Sequence, residues 1–340
     1  MKTLITGGGG FVGLNIAEAL LRAGDDVIVL GNQDPPAYAM AALGQLPGKL
    51  DVIRADVSDR DAIDAAFSQS RPHRVVHAAT ITAGADRELR EFDRIIDVNI
   101  KGTANVLRAA LACGVGKFVY VSSGSVYGEA LLGPDPLTER ESTPVPDTLY
   151  AITKFAGERI CMRLRGNAGM QVVCVRLGSV FGPWEFATGV RDMLSLPLQI
   201  LLRAMRGEEV LIAQKEPARD WIYSRDVAAG VAGLLQEPAV PYALYNLSAG
   251  FVWTEVSRAW CERLRAEFPH LQFRAAAGGE SANVAFLGSA DRAAMRIDRL
   301  NADTGFRAVF DAQRAFDDYL DWIRTHAAFF DATKTGAAGT

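Results

Sequence analysis

Short runs of consecutive apolar residues alternate along the first half of the chain with longer segments whose apolar residues recur every three or four positions. Continuous apolar runs are typical of strands in a parallel sheet that helices cover on both faces. The longer segments have the spacing of the amphipathic helices that cover such a sheet. The pattern therefore predicts an α/β fold with a Rossmann-like, doubly wound parallel sheet.

Individual elements follow from the same pattern. The predicted strands of the first half are Lys2–Thr6, Asp26–Leu30, Leu50–Arg54, Arg74–His77, Lys117–Ser122 and Gln171–Arg176. The predicted helices are Phe11–Ala23, Ser58–Ser68 with Ser58 as N-cap, Arg94–Cys113 and Tyr150–Arg165. After residue 177 we predict a loop (Phe181–Pro197), a strand (Glu209–Ala213) and the helices Leu198–Arg206, Arg225–Leu235, Trp253–Phe268 and Asp311–His326.

The change of pattern near residue 177 predicts two lobes. Residues 1–176 form a Rossmann domain that binds NAD or NADP, and residues 177–330 form a smaller α+β substrate-binding lobe. The chain returns to the sheet around residues 209–250. The small and polar residues 331–340 predict a disordered tail.

Composition excludes several classes of partner. The 340 residues carry a net charge of −4, which favours neither nucleic acid nor an anionic membrane surface. No apolar run approaches ~18 residues, and the Met1-Lys2 start has no signal-peptide pattern. The four cysteines lack paired spacing, which predicts thiols in a reducing cytoplasm. Neither they nor the four histidines have metal-ligand spacing, so no metal site is expected.

The glycine run after the first predicted strand is typical of a dinucleotide-binding turn. Such glycines allow a tight turn, close approach to the pyrophosphate and close packing of helix on strand. The run fits two registers, one beginning at Gly8 and the other at Gly7, both continuing through Gly10 and Gly13. The setting between a strand and a helix predicts nucleotide binding in either register.

The choice between NAD and NADP rests on the end of the second strand. An acid there binds the ribose hydroxyls of NAD, but Gly31 occupies the position. No Arg or Lys follows it directly to hold a 2′-phosphate; Asn32 or Asp34 could replace the acid. Asp56 either approaches the adenine or caps a turn. We predict NAD as cofactor, with NADP as the alternative.

A phenol and an ammonium stand four residues apart in Tyr150-Ala151-Ile152-Thr153-Lys154, on one face of a predicted helix. Lys154 in this position can lower the pKa of Tyr150, which then exchanges a proton with a carbonyl or alcohol oxygen. Serines at the end of the strand that runs to Ser122 can bind the reacting oxygen. Asn99 lies inside a predicted helix, where either a functional polar residue or a kink would explain it.

Together these motifs resemble the extended short-chain dehydrogenase/reductase family, the NAD-dependent epimerase/dehydratase group. The matching stretches are TGGGGFVG, ADVSD, VVHAAT, DVNIKGTANVL, VSSGSVYG, YAITK, VRLGSVFGP and RDWIYSRDVA, over about residues 3–235. The resemblance implies the register Gly7, Gly10, Gly13. It also implies that Tyr150 is the acid/base, Lys154 its partner and ribose ligand, Ser123 the substrate hydrogen-bonder, and Asn99 a structural and proton-relay residue.

The candidate ligand-binding residues combine the motifs with this resemblance. The predicted cofactor ligands are Gly7, Gly10, Phe11, Val12, Gly13, Asn32, Asp56, Val57, His77, Ala78, Ala79, Asn99, Tyr150, Lys154, Leu177 and Val180. The predicted substrate ligands are Thr80, Ser123, Ser125, Ser179, Arg191 and Arg219.

Departures from the family pattern restrict the reaction. The 4,6-dehydratases carry an Asp-Glu pair where this chain has Gly124-Ser125, so we do not expect water elimination. Of three side chains that hold a nucleotide-sugar diphosphate, only Arg219 is present: Ser179 replaces an Asn, and residues 278–287 contain no arginine. Arg191, unless it is a surface residue paired with Glu185 or Asp192, could instead clamp a carboxylate or phosphate.

We therefore predict an NAD(P)-dependent oxidoreductase that transfers hydride at a carbinol or ketone of a sugar-like or sugar-acid substrate. The alternatives are an epimerase that retains its cofactor and a non-catalytic dinucleotide sensor. The family resemblance also implies a homodimer built from the helices that contain Arg94–Cys113 and Tyr150–Arg165.

Overall fold

The computed structural model describes residues 1–166, 169–286, 288 and 290–334. In chain order its strands are β1 (Lys2–Thr6), β2 (Asp26–Gly31), β3 (Leu50–Arg54), β4 (Arg74–His77), β5 (Lys117–Ser123), β6 (Gln171–Leu177), β7 (Ser179–Phe181), β8 (Val210–Ile212), β9 (Trp221–Tyr223), β10 (Leu244–Leu247) and β11 (Phe273–Ala275). Seven of them form one parallel sheet in the order β10-β6-β5-β4-β1-β2-β3. The direction of winding changes between β1 and β4, which opens a crevice at their carboxyl ends. The predicted doubly wound fold is confirmed.

Helices cover both faces of this sheet. They are α1 (Phe11–Arg22), α2 (Ala37–Leu43), α3 (Arg60–Ser70), α4 (Ala85–Ile96), α5 (Gly102–Ala112), α6 (Leu149–Arg163), α7 (Leu196–Met205), α8 (Ser224–Gln236), α9 (Val256–Leu264), α10 (Asp298–Thr304), α11 (Ala312–Thr325) and α12 (Ala327–Lys334). Neighbouring residues of one strand enter different cores: Leu4 packs with α3 and α5, and Ile5 with α1 and α8. Both are fully buried, which is why these strands read as continuous apolar runs.

The predicted helix Arg94–Cys113 is wrong at its start. The helical path begins at Ala85, passes through the π-helical turn Asp97–Lys101 and continues as α5. The first part carries many charges, but Leu89, Phe92 and Ile96 recur there at helical spacing, so the prediction overlooked a pattern that the sequence contains. The predicted Ser58 cap is also wrong, because the hydroxyl of Ser58 binds Asp56 and Asp59 caps α3.

The second half of the chain returns to the sheet through β10, which pairs with β6. Around it, two short parallel pairs, β7 with β9 and β8 with β11, extend the structure beyond the sheet. Residues 331–334, which we expected in a disordered tail, end α12; residues 335–340 lie outside the described residues. No helix among the described residues is long and apolar enough to cross a membrane.

Candidate active site

The turn between β1 and α1 places glycines where a larger residue would not fit. Gly7 has a φ of +65°, and a Cβ on it would lie 2.7 Å from the backbone of Ala79. A Cβ on Gly13 would lie 2.6 Å from the Cα of Gly8. Gly10 is the N-cap of α1, where no side chain caps the helix and the first turn contains no acid. The first N–H groups of α1 are therefore available for the pyrophosphate of a dinucleotide.

The side chain of His77, at the end of β4, binds other residues of the protein. It is fully buried, and its ring nitrogens pair with Thr6 at 2.6 Å and Thr103 at 2.9 Å. Burial, together with the charge of Lys154, lowers the pKa of His77 to about 3. The imidazole thus ties the sheet to α5 as a neutral group. The backbone of the next two residues, Ala78 and Ala79, is what approaches Gly7.

Just after β2 and β3, the predicted residues Asn32 and Asp56 lie together, with 3.5 Å between the Asn32 Nδ2 and the Asp56 Oδ2. Asp56 also accepts hydrogen bonds from Ser58 and pairs with Arg94, and these partners lower its pKa to about 2 although burial acts in the opposite sense. The turn role and the ligand role expected of Asp56 are therefore compatible. The carbonyl oxygen of Val57, the next residue, accepts a hydrogen bond from Asn105.

Arg54 is a neighbour of Asn32 that the sequence did not indicate. Arg54, the last residue of β3, donates to the carbonyl oxygen of Asn32 and lies 3.9 Å from the carboxylate of Asp34. It sits 22 positions after Asn32 along the chain, so only the pairing of β2 with β3 brings it to this turn.

The two residues of the Tyr-x-x-x-Lys motif lie on α6 as predicted. Burial raises the pKa of Tyr150 above its ordinary value, and hydrogen bonding to Ser123 and Thr82 and the positive charge of Arg191 offset only part of this rise. The ammonium of Lys154 lies 4.8 Å from the centre of the Tyr120 ring, and burial lowers its pKa to about 8 against the charge of Glu158. Arg191 is therefore a cation that opposes the effect of burial on the Tyr150 pKa, and the role that the motif predicts for Lys154 stays a prediction.

The serines at the end of β5 separate into two roles. Ser122 is buried and donates to Glu158 at 2.6 Å, whereas Ser123 is partly exposed and lies beside Tyr150. The hydroxyl of Ser123 accepts a hydrogen bond from the backbone N–H of Ser125 at 3.1 Å, and the two hydroxyls are also 3.1 Å apart. Ser123 and Ser125 therefore lie together at the carboxyl end of β5.

Asn99 lies in the π-helical turn, which accounts for a polar residue in the middle of a helix. Its side-chain oxygen accepts from Ile81 and Thr80, and its nitrogen donates to the carbonyl of Ile81 and to Thr153. These four hydrogen bonds join α6 to the segment after β4. They give Asn99 the structural part of its predicted role and use its amide group entirely on protein partners.

A buried carboxylate holds the Arg191 guanidinium near the start of α1. The Glu185 carboxylate is 1% exposed and accepts hydrogen bonds from Arg191 at 2.8 Å and from the backbone of Ser195 at 2.7 Å. The Arg191 guanidinium lies 5.8 Å from the centre of the Phe11 ring, at the start of α1. The ion pair with Glu185 that the sequence offered as an alternative is therefore present, and it fixes Arg191 between α1 and Tyr150.

The predicted substrate ligand Arg219 is engaged elsewhere. Its guanidinium donates to the carbonyl oxygens of Ala218, Gly288 and Ala290, and burial lowers its pKa to about 10. The backbone of Ser179 binds the carbonyl oxygen of Asp220 at 2.7 Å, which ties β7 to the same segment. Leu177, the last residue of β6, and Val180, the middle residue of β7, are both buried.

Comparison with known proteins identifies the family. A family model described as the NAD dependent epimerase/dehydratase family matches residues 3–248. The chain belongs to this family. Its members are enzymes, and their cofactor is NAD.

Three relatives illustrate the likeness of this epimerase/dehydratase chain. It is 29% identical over 268 residues to UDP-glucuronate 4-epimerase 1 of Arabidopsis thaliana, a match that covers 73% of this chain and 60% of that protein. It is 26% identical to a dTDP-glucose 4,6-dehydratase of Streptomyces antibioticus, covering 100% of this chain and 97% of that protein. The UDP-glucose 4-epimerase of Thermus thermophilus, solved with NAD, superposes with a TM-score of 0.76 at 26% identity, covering 96% and 100% of the two chains.

Two residues of this family member were not found from the sequence but contact Tyr150. Thr82 pairs with Arg191 in an isolated parallel bridge and reaches the Tyr150 hydroxyl. Glu88, on α4, accepts a hydrogen bond from the backbone N–H of Tyr150 at 3.0 Å. Both lie more than 60 positions before Tyr150 in the chain, so only the fold brings them to the site.

Proposed function

We propose that this enzyme is an NAD-dependent oxidoreductase that oxidises a carbinol of a sugar-acid substrate, or reduces the corresponding carbonyl. The observation that carries the proposal is the position of Tyr150 between Ser123, Thr82 and the fixed cation of Arg191. This group of side chains can hold an oxygen atom, move its proton and bind a neighbouring negative charge. Residues 1–176 would bind the cofactor, and residues 177–330 would supply Arg191 and most of the substrate lobe.

NAD fits the residues of the crevice. The glycine turn and the uncapped start of α1 would take the pyrophosphate, with Phe11 and Val12 in the first turn. Asn32 and Asp56, together with Asp34 beside Arg54, would surround the adenosine ribose. Carboxylates at this point bind ribose hydroxyls, and NAD is the cofactor of the family to which the chain belongs.

Bound NAD supplies the hydride acceptor of the oxidation. For that step Ser123 would hold the substrate hydroxyl, and Tyr150 as phenolate would take its proton. The Arg191 charge favours the phenolate, since it lowers the Tyr150 pKa. Lys154, one helical turn further along α6, would reach the ribose of the cofactor. In the reverse direction the protonated phenol returns its proton to the carbonyl oxygen.

The substrate class follows from the free charges near Tyr150. Arg191 uses one side of its guanidinium on Glu185, and a planar carboxylate on the other side would complete a paired arrangement of hydrogen bonds. Arg219, which would meet a nucleotide diphosphate, binds the backbone near residue 290 instead. These two observations support a sugar acid over a nucleotide sugar.

The second candidate is a sugar epimerase that keeps its cofactor bound. It is favoured by the likeness to UDP-glucuronate 4-epimerase 1, whose name indicates a sugar that carries a carboxylate. Both reactions use the same hydride and proton transfers, and they differ in whether the reduced cofactor leaves.

An assay of net cofactor reduction separates the two. The purified enzyme is incubated with NAD and, in turn, with hexuronic acids and with UDP-hexuronic acids, while absorbance at 340 nm and product identity are followed. We expect NADH in proportion to oxidised hexuronic acid. An epimeric product without accumulation of NADH would contradict the proposal and establish the second candidate.

We also propose a cytoplasmic homodimer. All four cysteines are free thiols, as the reducing cytoplasm favours. Four large apolar side chains remain exposed on α4 and α6: Leu89, Phe92, Ile96 and Ile152. Exposed apolar side chains that share one surface are typical of an interface with another protein chain.

A further inference from the structure

A cavity lies beside the C-terminal half of α6. Its lining contains neither Tyr150 nor the side chains around the Tyr150 hydroxyl. Its volume is about 370 Å³, within the range of small-molecule sites. Six of its fourteen lining residues are charged: the arginines are Arg140, Arg159, Arg176 and Arg299, and the glutamates are Glu139 and Glu158. Four arginines against two glutamates leave a formal excess of two positive charges.

The floor of this cavity is a buried ion pair. Arg176 is 2% exposed and donates from Nε and Nη2 to the two carboxylate oxygens of Glu158, at 2.9 and 2.7 Å. The third guanidinium nitrogen, Nη1, is buried without a hydrogen bond to a described residue, and the guanidinium lies over the Tyr127 ring, 4.5 Å from its centre. Contact with an aromatic ring face compensates a buried cation in part.

The wall of the cavity presents a cation that is only loosely paired. Arg299 lies over the Tyr242 ring, 4.3 Å from its centre, and its Nε is 3.9 Å from Glu139. Glu139 accepts a hydrogen bond from the backbone of Asn246, and burial raises its pKa. Glu139 therefore neutralises Arg299 less completely than Glu158 neutralises Arg176.

The mouth carries two arginines whose charge is uncompensated. Arg140 and Arg159 are exposed, and neither forms an ion pair with any carboxylate of the described part of the chain. Arg140 lies in the segment before α6, and Arg159 lies on α6. Two such cations at the mouth and a cation on the wall can contact one anion together.

We propose that this cavity binds a small polyanion that carries at least two phosphate or carboxylate groups. One group would lie between Arg140 and Arg159, and the other would reach Arg299 and the floor. The aromatic side chains Tyr242 and Phe155 leave room for a short organic link between the groups. The site is separate from the cofactor crevice, so the ligand and NAD would bind at the same time.

Isothermal titration with two probes, pyrophosphate and citrate, tests the proposal and distinguishes the phosphate and carboxylate sources. NAD is kept saturating so that pyrophosphate cannot enter the glycine turn, and NaCl holds the ionic strength constant so that general screening does not imitate binding. We expect saturable binding of at least one probe at one site per chain. The double variant Arg140→Gln/Arg159→Gln should weaken it at least about tenfold, because two charge-assisted hydrogen bonds are lost.

Arg163→Gln is the matched control, because Arg163 is also exposed on α6, one turn after Arg159, but does not line the cavity. It should bind the probes like the wild type. Binding of neither probe, or an equal loss in the control and the double variant, would overturn the proposal. A further result would also overturn the proposal: the wild type binds neither probe, and the double variant differs from it in oligomeric mass. The two cations would then belong to a subunit contact. Thermal unfolding of each variant shows that it is folded.

Discussion

The hydroxyl of Tyr150 lies among three polar neighbours that decide its proton affinity. Burial raises its pKa, and Ser123, Thr82 and Arg191 lower it. The Arg191 charge is effective because the buried Glu185 carboxylate holds the guanidinium in one place. An acid/base group needs a pKa near the working pH, so these contacts matter as much as the phenol itself.

Tyr150→Phe should lower kcat by a factor of ~10²–10⁴, the usual contribution of a general acid/base. The ring and its packing remain, so the Kd for NADH, measured by fluorescence titration, should stay within about threefold of wild type. A loss of kcat below about tenfold would show that another group moves the proton.

Arg191→Gln should raise KM for the acidic substrate by ~10–100-fold, because a charge-assisted pair of hydrogen bonds is lost. It should also move the acidic limb of the pH–rate profile to higher pH: without this cation the Tyr150 pKa rises, and the phenolate needed for oxidation forms later. Arg191→Lys should restore part of both effects.

Arg87→Gln is the control for this change, since Arg87 binds Gly189 and Asp192 of the same segment without acting on Tyr150. Its pH–rate profile should match the wild type. An identical shift in both variants would mean that the segment has moved rather than that a charge was lost.

At the scale of elements, the strand–turn–helix at the N-terminus illustrates how local sequence specifies a ligand site. The turn needs the left-handed φ of Gly7 and the absence of a Cβ at Gly13. Both requirements are local, since they involve residues within one turn and the start of α1. This is why the sequence pattern alone is sufficient to locate the site.

Gly13→Ala should weaken NAD binding at least about tenfold, because the new Cβ would contact the backbone of Gly7 and Gly8 and widen the turn. Gly233→Ala is a matched control inside α8, where a Cβ would meet only Thr304 at 3.6 Å. That change should leave binding intact and stabilise the protein by ~0.5–1 kcal/mol. Equal NAD affinity in the two variants, measured by titration, would exclude a tight turn at Gly13.

Strand boundaries in the first half of the chain were predicted to within a residue, whereas α4 was found only in the structure. The strands β1, β2 and β4 to β6 are buried on both faces, and their apolar runs identify them without knowledge of their neighbours. The edge strand β3 is largely exposed. α4 carries Leu89, Phe92 and Ile96 at helical spacing, so its sequence is amphipathic and the prediction overlooked it, although among its residues only Ile95 is buried. The contact of its Glu88 with the backbone of Tyr150 is what only the tertiary structure shows.

For the molecule as a whole, the neutral and buried His77 makes stability depend on pH. Its folded pKa of about 3 is below the ordinary value of 6.5, so its contribution is complete above pH 6.5 and is lost as pH falls towards 3. At pH 5 protonation of His77 in the unfolded state should lower the free energy of unfolding by about 2 kcal/mol.

Urea unfolding of the wild type and of His77→Gln at pH 7.5 and pH 5.0 measures this contribution. Glutamine keeps a donor and an acceptor for Thr6 and Thr103 but does not titrate. The stability difference between the two pH values should therefore be about 2 kcal/mol smaller in the variant. The same difference in both proteins would mean that His77 does not govern acid stability.

The proposed subunit interface is also a property of the whole molecule. Leu89→Glu places a charge on the most exposed apolar residue of α4, which is 82% exposed. If α4 and α6 join two subunits, light scattering should show a shift from dimer towards monomer. Leu132→Glu, at a residue 58% exposed elsewhere, should leave the mass unchanged. A monomeric wild type would contradict the interface.

The sequence by itself determined the parallel sheet, the glycine turn and the Tyr150–Lys154 helix, because each is encoded by neighbours in the chain. Only the tertiary structure decided which groups surround Tyr150. Thr82 and Arg191 come together through a bridge between segments more than 100 residues apart. It likewise decided that Arg219 binds backbone and that His77 is structural. Charge and hydrogen bonding act through space, and a pattern along the chain does not contain those distances.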